Sequence, residues 1–96
     1  MRTLLMINIP PTLEEDMVDY LLALDDVDGF TTFAVNGHGE GSYANVAEQV
    51  SGHRRRIHFE VLVEPGTVGT VIAGLANQVG KGIHYWYLPV SGFGQT

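Results

Sequence analysis

Residues 53–64 alternate almost without interruption: Ile57, Phe59, Val61 and Val63 are apolar, and Arg54, Arg56, His58 and Glu60 stand mostly between them. A period of two over that length is a strand with one face buried and the other not. Pro65-Gly66 breaks it. Directly beyond, Val68, Val71, Ile72, Leu75, Ala76 and Val79 recur at helical spacing and are closed by Gly80, which predicts a helix with one apolar stripe. Residues 83–90, Ile-His-Tyr-Trp-Tyr-Leu-Pro-Val, then form a last strand. Pro89 cannot donate to a ladder, so that strand lies at a sheet edge or ends there.

The first half of the chain repeats this order. Residues 2–9 read as a strand, with Leu5, Ile7 and Ile9 on one face and Leu4 and Met6 on the other. Thr12-Leu13-Glu14-Glu15 has the form of a capping box, in which the threonine oxygen accepts from the third helical amide and Glu15 reaches back. Leu13, Met17, Leu21 and Leu24, widened by Val18 and Leu22, carry the helix to about residue 25. A second strand is expected over 29–35. Residues 36–52 hold glycines, Asn36 and His38 at their start, with at most one weak helical turn from Tyr43 to Val50. A connection of that length between two strands is uncommon and usually functional.

The predicted order is therefore βαββαβ: one domain over residues 1–96, an α+β ferredoxin-like sandwich with both helices on one face of an antiparallel sheet. The other face would carry Leu4, Met6, Leu62, Trp86 and Leu88. That is more apolar surface than a lone small domain exposes, and self-association through the sheet is the simplest cover. A charged fraction of 17% agrees with a buried interface.

Composition excludes several classes. There is no cysteine, hence no disulfide framework and no thiolate zinc site. The first residues are too short an apolar run for a signal peptide, are interrupted by Asn8, and lead through Pro10-Pro11 into a helix. A cytoplasmic protein is expected, and no stretch approaches the roughly 18 apolar residues of a membrane helix. The formal charge is −6, with seven of the eleven acids in the first helix and its exit and three of the five basic residues in Arg54-Arg55-Arg56. An acidic chain with one basic triplet is a poor nucleic-acid binder. The βαββαβ order also occurs in RNA-binding domains, but Phe59 falls in the helix-facing set and the first strand has no aromatic residue.

No enzyme is expected either. Ser42, Ser51 and Ser91 lack a base with an orienting acid, and His38-Gly39-Glu40 lacks the cysteine pair of a zinc deaminase. His38 and Glu40 on a loop could offer two ligands to a metal, which copies of the chain could complete around an axis. His58 and His84 fall in the outer two of three neighbouring strands if the order is 4-1-3-2. At ~4.8 Å per strand they stand roughly 10 Å apart, too far to share one ion. Gly37, Gly39 and Gly41 do not match the spacing of a phosphate-binding loop. A phosphate held by Arg54, Arg56 and Lys81 from two subunits is the better anion reading; pairing of the arginines with Glu48, Glu60 or the acidic helix is the plain one.

Ile9-Pro10-Pro11, Leu13-Glu14-Glu15, Gly29-Phe30-Thr31, Val35-Asn36-Gly37-His38-Gly39, Glu48-Gln49-Val50, the arginine triplet and Tyr85-Trp86 with Pro89-Val90 resemble one small uncharacterised family of PII-like proteins. Members are often encoded beside heavy-metal efflux pumps of the resistance-nodulation-division (RND) type. The resemblance spans essentially the whole chain and implies a homotrimer whose sheets face the centre. It makes residues 36–52 the T-loop, with His38, Glu40, Tyr43, Glu48 and Gln49 meeting a partner such as an RND metal-efflux transporter. It places Gly37, Arg54, Arg56 and Lys81 where a small effector, an adenine nucleotide or a metal ion, binds in the cleft between subunits. The chain departs from the PII pattern at Gly80-Lys81-Gly82, where a longer glycine-rich loop and downstream phosphate-gripping arginines are missing; this counts against a nucleotide. The implied function is a trimeric regulator. A metal-binding protein resembling the CutA type, buffering or carrying an ion through His38 and Glu40, is the alternative, and a trimeric module without ligand is a third.

Overall fold

The computed structural model describes residues 2–39 and 54–96. Over these the chain forms β1 (Arg2–Ile9), a 3-10 turn (Pro11–Leu13), α1 (Glu14–Leu22), β2 (Thr31–Gly37), β3 (Arg54–Val63), α2 (Pro65–Gln78) and β4 (His84–Val90). The sheet order is β2-β3-β1-β4 and every neighbouring pair is antiparallel. The expected order and the edge position of the proline-bearing strand both hold.

Alternation decides which side of the sheet is buried. Leu5, Ile7 and Ile9 of β1 and Phe59, Val61 and Val63 of β3 have lost all or nearly all contact with solvent. They pack under Met17 and Leu21 of α1, Val68, Val71 and Leu75 of α2, and Val79 just after it. The helices cover the two central strands. Both edge strands are largely exposed, β4 at every position from His84 to Pro89.

Three local expectations change. The capping box at Thr12 does not form: no side chain caps either the 3-10 turn or α1. Pro10 holds the extended conformation and its carbonyl accepts from the Leu13 amide at 3.0 Å, so Thr12 lies inside a turn and not ahead of a helix. An N-cap needs non-helical backbone, and the two prolines have moved that position upstream. α1 ends at Leu22 and not near residue 25, although Leu24 and Val27 still pack on the core. β2 begins two residues late and runs through Gly37, because Asn36 and Gly37 find ladder partners in Arg55 and Arg54. The connection assigned to 36–52 therefore starts after Gly37.

Tyr20 ties the helices together. Its hydroxyl donates to the Val71 carbonyl at 2.8 Å, and its ring end fills the space over Gly74 that any Cβ there would occupy. Burial raises the phenol above its ordinary value of 10.0, with the Gly74 amide opposing the shift. A group whose folded-state value is raised contributes stability that is intact below the unfolded value and lost as pH climbs through the folded one. The fold should thus weaken above about pH 10 more steeply in the natural chain than in Tyr20→Phe. Urea midpoints between pH 9 and 11.5 check this; parallel profiles would assign the hydroxyl no part.

Candidate functional site

The face of the sheet turned away from the helices is laid out in rows by the strand register. Leu62, Leu4 and Leu88 stand side by side on β3, β1 and β4. The next row toward the β2–β3 connection is Thr31, Glu60, Met6 and Trp86. After it come Phe33, His58, Asn8 and His84. Beyond the end of β1, Arg56 stands opposite Val35 and Arg54 opposite Gly37. Phe33, Trp86 and Leu88 are each more than two-fifths exposed. The set anticipated from the sequence is this face.

His58 is the exception to its openness: only 8% of it reaches solvent. Its Nδ1 lies 2.5 Å from the Asn8 Oδ1 and its Nε2 3.7 Å from a Glu60 carboxylate oxygen. Phe33 lies 4.9 Å from it, centroid to centroid, and Trp86 5.9 Å. Sequence reasoning placed His58 on this face but missed Asn8 and Glu60 as its partners. The signal was there once β1 and β3 are aligned antiparallel, because Asn8 is then directly opposite His58. His84 completes the row on the far side of Asn8, two strands from His58, as the expected separation required. At the other end of the face, Arg2 pairs with Glu64 at 3.5 Å and lies 4.8 Å over the Phe93 ring.

The sequence-derived ligand residues are partly united. Gly37 and Arg54 are cross-strand partners, and a Cβ on Gly37 would stand 3.7 Å from the Arg56 Cγ. Arg54 and Arg56 share the open face. Arg55 alternates away from them, yet Arg55 and Arg56 both line, with Pro11, Val35, Asn36 and Ile57, a groove of about 390 Å³ at this strand end that the sequence did not suggest. Lys81 is not beside the arginines. It borders a second groove of about 300 Å³ with Ile72, Leu75 and Tyr85. That connection reaches the same end of the sheet, since Gly82 approaches Pro10, the residue after β1.

His38 is exposed, one residue beyond β2. Glu40, Tyr43, Glu48 and Gln49, and with them His53, Ser42, Ser51 and the helical turn expected from Tyr43 to Val50, lie outside the described residues. Among the described residues no three or more histidines or carboxylates gather to hold a metal, and no helix is long and apolar enough to cross a membrane.

A family model described as "Protein of unknown function (DUF3240)" matches residues 1–96. A search of the curated proteins found no match. Among solved structures, the chain is similar to a DUF3240 family protein from Shewanella baltica OS155, with a TM-score of 0.81 and 20% identity over 99% of this chain and 96% of that one. It is also similar to Arabidopsis thaliana PII bound to citrate, with a TM-score of 0.69 and 18% identity over 94% of this chain and 75% of that one. At these identities the likeness is one of fold, and it bears out a PII-like domain.

Proposed function

Since the chain belongs to the DUF3240 family, whose function is unknown, and shares its fold with a PII protein, we propose that it is a PII-like regulator and not an enzyme. In this reading it works in the cytoplasm as a homotrimer, senses a small ligand near Gly37, Arg54, Arg56 and Lys81, and presents the segment after β2 to a membrane transporter such as a heavy-metal efflux pump. The observation that carries the reading is the apolar row Leu62–Leu4–Leu88, its two inner leucines half-buried and Leu88 exposed beside exposed Trp86, on the same face as a basic strand end. An apolar sheet face of this kind is costly to leave wet, and copies of the chain cover it most simply. The strand end beside it carries two arginines, and the similar Arabidopsis protein holds citrate, a small polyanion.

The mechanism follows from population shift: a ligand at the strand ends favours one arrangement of the adjoining segment and changes its fit to the partner. The test is thermal unfolding of the pure protein against adenine nucleotides and against zinc, copper, nickel and silver ions. A ligand at about 100 times its dissociation constant adds roughly 2.7 kcal/mol, a plainly visible shift. A rise with nucleotide supports the sensor. A rise with metal alone, lost in His38→Ala, would replace it by a CutA-like metal carrier. Silence across the panel would remove both ligands from the account.

A further inference from the structure

Among the described residues, His58 is the one titratable side chain on the open face that is buried, and both of its ring nitrogens are engaged. The Asn8 Oδ1 can only accept, so the Nδ1 that meets it carries the proton. In the neutral ring Nε2 is then a bare acceptor, and it faces a Glu60 carboxylate oxygen at 3.7 Å. Two opposed acceptors are tolerable while water reaches them, and the Glu60 side chain is still 40% exposed. Covering the face takes that water away, and a carboxylate without a donor is costly to bury. The other charged groups on this face stand further off. Arg2 pairs with Glu64 at the leucine end. Arg56 and Arg54 follow His58 along β3 on the side away from Glu60, and His84 lies across Asn8, two strands from His58. The edge strand β2 offers only Thr31, Phe33 and Val35 there.

We infer that, in the self-assembly proposed above, covering the open face takes up one proton per copy from solvent, held between the His58 Nε2 and the Glu60 carboxylate, so that pH sets how tightly copies associate. The added proton turns two opposed acceptors into one charge-assisted contact with no net charge. Association that binds protons weakens as pH rises through the range in which imidazoles ordinarily lose theirs. Below that range the ring of the free chain already carries the proton, and the gain levels off. Asn8, His58 and Glu60 thus make assembly respond to acidity without any ligand at the basic strand end.

Sedimentation equilibrium from about pH 6 to about pH 9 tests this, in a chelating buffer of constant ionic strength. The association constant of the natural chain should fall by up to about tenfold per copy for each pH unit above the imidazole range. Glu60→Gln should lose that slope, because its amide donates to the bare Nε2 without a proton. His84→Gln should keep it, which separates the pair from the other histidine on the face. If the natural chain stays fully assembled at the lowest measurable concentration, Leu88→Ala thins the apolar row and brings dissociation into range, with the same slope expected. An assembly indifferent to pH in that background, or a slope that survives Glu60→Gln, would overturn the proton uptake and leave self-assembly standing. A single-chain mass at every pH would overturn both.

Discussion

Phe59→Ala is expected to cost about 3–5 kcal/mol of stability. Phe59 is the largest side chain in the fully buried set and sits at the centre of β3, between β1 and β2. Phe30 leans on it at a centroid distance of 5.7 Å, so the truncation also removes an aromatic partner from the edge of the core. A domain of this size has only about 5–15 kcal/mol in hand. At roughly 4–8 °C per kcal/mol, the thermal midpoint should fall by at least about 12 °C. Chemical denaturation gives the free energy directly. A change below about 1 kcal/mol would mean that the packing around Phe59 is wrong.

The second large effect falls on assembly and leaves the fold of a single chain nearly untouched. Trp86 is 44% exposed on edge strand β4 and lies opposite Met6 on the open face. In a lone chain Trp86→Glu removes a half-wet ring and places a carboxylate in water. In an assembly packed through that face it buries one unpaired charge per copy, at roughly 3–5 kcal/mol each. Since about 1.4 kcal/mol is tenfold in an equilibrium constant, association should weaken by more than about a hundredfold per copy, and the variant should run as a folded monomer. Trp86→Phe, which keeps the face apolar, should stay assembled. Equal assembly of both variants would move the interface elsewhere.

The faces of this fold were readable because β3 alternates so strictly. Once Ile57, Phe59, Val61 and Val63 point one way, His58 and Glu60 must point the other, and the order of strands and helices follows from the βαββαβ pattern. What escaped the sequence was non-local. The end of β2 depends on which residues of β3 lie opposite, so Asn36 and Gly37 read as loop until Arg55 and Arg54 pair with them. The Asn8–His58 contact joins residues fifty positions apart and exists only through register. The start of α1 misled for a local reason: Pro10 and Pro11 set a 3-10 turn that puts Thr12 in the wrong conformation to cap. The groove beside Arg55 and Asn36 has the same origin as the β2 boundary, since both residues reach it only when the strands run on past the core.

What covers the open face decides whether the chain can act as a trimeric regulator, and the solution mass of the purified natural chain tests that most directly. Sedimentation equilibrium across a hundredfold range of concentration should give three times the 10.5 kDa chain mass. A single-chain mass throughout would leave Leu4, Leu62, Trp86 and Leu88 facing water and contradict the proposed regulator at its base.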